Sequence, residues 1–202
     1  MREDFALQRL SRESKKVCRV NIDLSFWTSA SSRRKRVYTI IIVFIVAVIV
    51  TFAASFIPIS KTDAQTISNQ LNQTVNTHKS NGTLTEYIFL NNFEICLIMF
   101  IPFVGPIIGI VILFNTGIAL GAISYVQGYP VFIALISELL TPVFWLEFIA
   151  YSTAMAASLW LARRLMQRRW LELKNTAIQI GICAAILIVS AIIEAWLISI
   201  GI

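Results

Sequence analysis

Long apolar stretches alternate with short polar or basic segments along this chain. The first stretch runs from Tyr38 to about Pro58, is rich in Ile and Val, and contains no charged residue. A helix needs roughly 20 apolar residues to cross a bilayer. The pattern therefore predicts a membrane-spanning helix here, and the basic run Arg33–Arg36 directly precedes it.

The second apolar stretch, residues 87–126, is interrupted by Pro102, Gly105 and Pro106. Its length is about twice that of one membrane-spanning helix. Because proline interrupts helices, we predict two helices joined by a tight turn near Phe103-Val104. A pair of short, partly re-entrant helices buried within the protein is the alternative.

The third apolar stretch, residues 131–162, is interrupted at Thr141-Pro142. Either one kinked helix or a short half-helix followed by a full span fits this break. A last apolar stretch runs from about Asn175 to Ile202. Together the stretches predict an all-α, polytopic transmembrane helix bundle of about five spans, with a broken or kinked helix near Pro142.

A polar segment, residues 60–86, separates the first two apolar stretches and is rich in Thr, Asn and Gln. Its apolar residues recur at helical spacing, at Ala64, Ile67, Leu71 and Val75. This spacing predicts an amphipathic helix that lies against the membrane or against the bundle itself.

The chain divides into a basic N-terminal segment, residues 1–37, and a transmembrane helical domain, residues 38–202. Apolar residues such as Phe5, Leu10 and Trp27 lie among the charges of the first part. A helix on the inner membrane surface and a loosely ordered cytosolic tail both fit this pattern.

Basic residues cluster in two places, Arg33–Arg36 and Arg163–Lys174. Positive residues that flank spans stay on the cytosolic side of the cell membrane. With five spans, an odd number of crossings separates the polar segment from each basic cluster, and one crossing follows the second cluster. This arrangement predicts a cytosolic N-terminus, an external polar segment and an external C-terminus. The sequons Asn72-Gln73-Thr74 and Asn81-Gly82-Thr83 fall in that external segment, so Asn72 and Asn81 are candidate glycosylation sites.

Composition supports a membrane protein. Hydrophobic residues make up 57% and charged residues 14% of the chain, whereas soluble domains carry roughly 25% charged residues. The net charge of +6 lies beside apolar spans, so an anionic membrane surface explains it better than nucleic acid does. We expect the lipid bilayer as one partner, and membrane proteins or a second copy of this chain as others.

No catalytic pattern accompanies the spans. The single histidine, His78, lies in the polar segment, where we expect a surface residue. HExxH, GxSxG and P-loop patterns are absent from the sequence, and its three cysteines show no CxxC spacing. We therefore expect no enzyme activity, no metal site and no cofactor.

Small residues form two stripes at a four-residue spacing. The first contains Gly105, Gly109, Gly117 and Gly121, and the second contains Ala150, Ala154 and Ser158. Small faces allow helix backbones to approach closely in lipid, where no hydrophobic drive holds helices together. We predict that these two stripes pack against each other.

Ionisable residues within apolar spans indicate polar contacts or a cavity. The spans contain Glu94, Glu138, Glu147 and Glu194, and a charge at the bilayer centre costs about 2.5–3.5 kcal/mol on insertion scales. Because no Lys or Arg lies at a depth that matches Glu147, we predict a buried polar cluster of Asn91, Asn92, Asn115 and Glu147. An interhelical hydrogen bond and a proton or ion path both fit such a cluster.

A set of residues in the middle spans resembles a known family. The set begins with Ile88-Phe89-Leu90-Asn91-Asn92, continues through Gly105, Gly109, Asn115 and Gly121, and ends with Pro142, Glu147 and Ala150. This pattern is similar to that of the stage II sporulation protein M family of prokaryotic membrane proteins. Val143 and Phe144 stand where the family usually has His-Gly, and Asn115-Thr116-Gly117 stands where it has Asn-Gly.

The resemblance implies a polytopic core with polar residues inside it. The namesake acts in a sporulation membrane complex with a cell-wall hydrolase, as an organiser and not as the catalyst. We therefore expect a non-catalytic membrane scaffold or assembly partner. A small transporter or channel that uses Glu147 and Asn115 beside a discontinuous helix is the alternative. A water-accessible route to Glu147 favours the transporter, whereas a dry, hydrogen-bonded Glu147 favours the scaffold.

Overall fold

The computed structural model describes residues 32–168 and 172–200, a part of the chain that contains seven helices and no strand. Residues 1–31 of the basic N-terminal segment lie outside the described residues, so its interpretation as a surface helix or a cytosolic tail stays a prediction. The predicted all-α architecture is confirmed. The helices are α1 (Ser32–Ser55), α2 (Lys61–Ser80), α3 (Leu84–Met99), α4 (Gly105–Gln127), α5 (Val131–Leu140), α6 (Pro142–Met166) and α7 (Glu172–Ile200).

Four of the described helices, α1, α4, α6 and α7, are long and apolar enough to cross a membrane. Helix α3 corresponds to the second of the five predicted spans but has 16 residues, fewer than the roughly 20 that a helix needs to cross a bilayer. The chain turns between α3 and α4 through Phe103, whose φ is 67°. This turn lies where the sequence predicts it.

The break before Pro142 separates two helices. Thr141 is extended, with φ −79° and ψ 138°, and its hydroxyl oxygen accepts a hydrogen bond from the Phe144 backbone N–H at 3.4 Å. Proline suits the first turn of a helix because the N–H that it lacks has no partner there. Of the two interpretations of this break, the structure shows the half-helix, α5, followed by the long helix α6.

Basic residues from different helices meet at one end of the bundle, which we call the basic end. Arg36 forms an ion pair of 2.6 Å with Glu172. The Trp160 indole N–H donates a hydrogen bond to the Thr39 hydroxyl at 3.2 Å, and the guanidinium groups of Arg36 and Arg163 lie 5.5 and 5.8 Å from the Trp160 ring. Both predicted basic clusters therefore contribute residues to the same end.

Helix α2 has the predicted amphipathic character. The Ser60 hydroxyl accepts a hydrogen bond from the Asp63 backbone N–H at 3.1 Å and so caps the first turn. Ala64 and Ser68 are buried, and the helix packs chiefly against α4. At its last turn the Lys79 ammonium donates a hydrogen bond to the Ile198 carbonyl of α7 at 3.0 Å.

The glycine stripe of α4 meets the predicted second stripe only in part, at Gly105, where an added Cβ would lie 3.1 Å from the Ser158 Oγ. At the start of α4, a Cβ on Gly105 would collide with the Met99 carbonyl and one on Gly109 would lie 2.6 Å from the Met155 Sδ. At Gly117 and Gly121, however, the added atom would meet the backbone of α1, at the carbonyl oxygens of Thr51 and Ser55. The first half of the stripe therefore faces α3 and α6, and the second half faces α1.

Helix geometry explains this correction. Successive residues turn by about 100°, so each four-residue step advances the stripe by about 40° around the helix. Gly105 and Gly121, four steps apart, consequently point in widely different directions. The second stripe also has a further partner, because the Cys183 thiol of α7 lies 3.6 Å from the Ala150 carbonyl oxygen. Ala150 and Ala154 are both fully buried.

Candidate functional site

A cavity of about 390 Å³ lies between the helices and receives residues from α2 to α7. We call it the central cavity. Leu71 of α2 forms part of its wall, and so do Phe148 of α6 and Thr116 of α4. Its polar lining consists mainly of three carboxyls, two amides and a phenol, from Glu138, Glu147, Glu194, Asn91, Asn92 and Tyr151.

Glu147 is held by a hydrogen bond across the cavity wall. The Asn92 side-chain amide of α3 donates to Oε1 of Glu147 at 2.5 Å. The Asn91 amide in turn donates to Oδ1 of Asn92 at 3.3 Å. Three of the four residues of the predicted polar cluster therefore come together in the structure.

Asn115 does not join them. Its side chain is exposed, and it does not line the central cavity. Thr116, the next residue, lines the cavity instead. Because consecutive residues of a helix point about 100° apart, Asn115 faces away from the cavity that its neighbour lines.

Two carboxyls outside the predicted cluster also line the central cavity. Glu138 belongs to the short helix α5 and Glu194 to the end of α7. Both residues can be identified from the sequence, because an ionisable residue within an apolar span indicates a functional position. The sequence does not show that Glu138 and Glu194 line the same cavity as Glu147.

Smaller cavities adjoin the central one at these same carboxyls. Glu138 and Glu194 also line a cavity of about 180 Å³ that reaches Thr51 of α1. They further line a cavity of about 280 Å³ beside Thr141 and Leu197. The carboxyls therefore lie where several cavities meet, and not in a closed pocket.

A fourth cavity, of about 430 Å³, lies beside α2 and α3 and shares Asn91 with the central cavity. We call it the His78 cavity. The His78 ring is stacked on Tyr87 with 4.1 Å between ring centroids, and its Nδ1 lies 2.9 Å from the Thr83 hydroxyl oxygen. Two acidic residues, Glu86 and Glu94, complete its polar lining. His78, expected at the surface, is half-buried.

Among the described residues, no Lys or Arg lines any of these four cavities. Within residues 32–168 and 172–200, no group of three His, Cys, Asp or Glu side chains is arranged to hold a metal ion. The Ser190 hydroxyl, on a fully buried side chain of α7, lies beside the Glu147 carboxyl.

The candidate glycosylation sites are accessible. Asn72 lies within α2 and Asn81 directly after it, and both side chains are exposed. Exposure is a requirement for modification at either asparagine, and both remain predictions.

Comparison with known proteins identifies a family that the chain matches. The model of the family described as Stage II sporulation protein M matches residues 39–198. No curated protein and no solved structure matches the chain. The match extends from α1 to α7 and includes every residue of the central cavity.

Proposed function

The chain is a membrane protein that belongs to the stage II sporulation protein M family, and we propose that its central cavity binds a small solute for passage through the membrane. The protein acts without catalysis, as a multi-pass protein of the cell membrane. The observation that carries this proposal is the carboxyl-lined cavity itself, which places Glu147 beside open space in the bundle.

The size and lining of the central cavity support a binding role. Its volume of about 390 Å³ lies within the range of roughly 300–1,000 Å³ that is typical of small-molecule sites. Ionisable side chains inside a membrane domain are costly, and they commonly mark solute or ion pathways. A core that served packing alone would need neither the open volume nor three carboxyls around it.

The break in the α5–α6 region supports the same function. Glu138 and Glu147 lie on opposite sides of Thr141-Pro142, and both line the central cavity. Transporters use discontinuous helices of this kind to place polar groups at their binding sites. We further propose a cytosolic basic end, because positive residues stay on the cytosolic side.

Accessibility of a single cysteine tests this function. In a variant without Cys18, Cys96 and Cys183, Thr116→Cys places a thiol at the wall of the central cavity. Phe114→Cys is the matched control, since two residues along a helix turn by about 200° and so face the opposite side at nearly the same depth. We expect a small water-soluble thiol reagent to modify position 116 in membrane vesicles, and to modify position 114 much more slowly. Equal protection of both positions would contradict a solute pathway.

A non-catalytic scaffold or assembly partner is the second candidate function. The hydrogen bond between Asn92 and Glu147 favours it, because such a bond joins α3 to α6 as a purely structural contact would. The exposed polar face of α2 would then serve as a docking surface for another membrane protein. A scaffold with a dry core leaves Thr116→Cys as unreactive as Phe114→Cys, so one measurement separates the two functions.

A further inference from the structure

We propose that the ligand of the central cavity is a small organic cation with an ammonium group, which enters through the His78 cavity. This inference rests on the proposed function of the same cavity. It concerns the chemical class of the solute and its point of entry, and its test below separates the two proposals.

Charge is the first argument for a cation. Glu138, Glu147 and Glu194 line the central cavity, and no Lys or Arg of the part of the chain that the structure describes shares that lining. Buried carboxyls usually have a positive partner, because an unpaired charge in a low-dielectric interior is costly. A cationic ligand supplies the partner that the described residues do not.

Aromatic rings and hydrogen-bond acceptors indicate an ammonium group. Phe148 and Tyr151 line the same cavity, and both side chains are buried. The face of an aromatic ring attracts an ammonium cation within about 6 Å of its centroid. Carboxyl, amide and hydroxyl oxygens accept hydrogen bonds from ammonium N–H groups, and such oxygens are present on the glutamates and on Asn91.

The arrangement of the carboxyls favours an organic cation over a bare metal ion. A metal ion needs ligands that converge on one point at about 2.0–2.6 Å. No three acidic, His or Cys side chains of the described residues are arranged in that way. A cavity of about 390 Å³ instead accommodates a molecule with several carbon atoms.

The His78 cavity offers an entry with the same charge preference. It adjoins the central cavity at Asn91 and carries Glu86 and Glu94 in its lining. Acidic side chains at the mouth of a low-dielectric channel raise the local concentration of cations. Arg36 and Arg163 lie at the opposite, basic end.

The test uses the cysteine-free protein with Thr116→Cys in sealed vesicles. Two methanethiosulfonate reagents of similar size, one with a trimethylammonium group and one with a sulfonate, report the charge preference of the cavity. Each rate is divided by that of the same reagent with a free thiol in solution, which removes the intrinsic difference between reagents. We expect the cationic reagent to be favoured by roughly tenfold, the factor given by about 1.4 kcal/mol.

Competition with a ligand is the second measurement. We expect choline to slow modification at position 116, and its uncharged analogue of the same shape, 3,3-dimethyl-1-butanol, to have no effect. Glu194→Gln should reduce the charge preference and the protection by choline, because it removes one of the three carboxyls of the cavity. Asp63→Asn is the control, because it removes an exposed carboxyl of α2 that does not line the central cavity.

The outcomes separate the two proposals. If both reagents modify position 116 equally fast and choline gives no more protection than the alcohol, the cation inference is wrong and the solute pathway stands. If neither reagent reaches position 116, both proposals are wrong. The competition in the parent protein needs no glutamate substitution, so it remains decisive even if Glu194→Gln fails to fold.

Discussion

The side-chain amide of Asn92 lies 2.5 Å from Oε1 of Glu147, although 55 positions separate the two residues along the chain. This hydrogen bond joins α3 to α6 at the wall of the central cavity. The amide and the carboxyl therefore satisfy each other. The two candidate functions assign this contact different roles. In a scaffold it joins two helices, and in a transporter it also forms part of the wall of the solute site.

Substitution of Glu147 separates its packing role from a binding role. Glu147→Gln keeps an acceptor for the Asn92 amide, so we expect little change in the thermal stability of the purified protein. Glu147→Leu leaves that amide without a partner and should lower the free energy of unfolding by about 1–3 kcal/mol. If the leucine variant is as stable as the parent, the contact carries no structural weight. Loss of ligand binding in a well-folded glutamine variant would support the solute site.

Gly117 should not tolerate even a methyl group. A Cβ there would collide with the Thr51 carbonyl oxygen of α1 and lie 2.8 Å from the Ala54 Cβ. Gly181 of α7 is the matched control, because a Cβ added to it meets nothing within 4 Å. We expect Gly117→Ala to lower the melting temperature in detergent. Gly181→Ala should leave it unchanged or raise it, since alanine is more favourable than glycine in a helix by roughly 0.5–1 kcal/mol. Equal effects of the two substitutions would contradict the close contact of α4 with α1.

The ion pair at the basic end should contribute to stability. Arg36 and Glu172 lie 2.6 Å apart, with side chains 24% and 8% exposed. Removing one partner leaves a poorly solvated charge, so Glu172→Gln and Arg36→Gln should each cost about 1–3 kcal/mol. The double variant should cost clearly less than the sum of the two, because the second substitution removes the charge that the first one leaves unpaired. Simple additivity in chemical denaturation would show that the pair contributes nothing as a pair.

Orientation in the membrane is open to direct labelling. Met166 follows the second basic cluster and Gln70 belongs to α2, and both side chains are exposed. On a cysteine-free background, we expect an impermeant thiol reagent added outside cells to label Gln70→Cys but not Met166→Cys. The reason is that positive residues stay on the cytosolic side. External labelling at position 166, or protection at position 70, would contradict the proposed topology.

Local chemistry in the sequence determined the elements of this fold. The apolar stretches are long enough to predict helices that cross a membrane, and α2 follows from the spacing of Ala64, Ile67, Leu71 and Val75. The turn at Phe103 and the break at Pro142 follow from residues that interrupt helices. Each of these features depends on residues that are close in sequence, so the sequence alone contains the relevant interactions.

Tertiary structure decided which faces of the helices meet. Helical periodicity shows that Asn115 and Thr116 point in different directions, but only the packing of α4 puts Thr116 at the cavity and Asn115 outside it. The same holds for Gly117, which meets α1 and not α6, and for Glu194, which α7 brings to the cavity of Glu147. In lipid, apolar helix faces are nearly equivalent, so the rotation of each helix is set by close backbone approach and a few polar contacts between distant residues. Those contacts are not encoded in any local stretch of the chain.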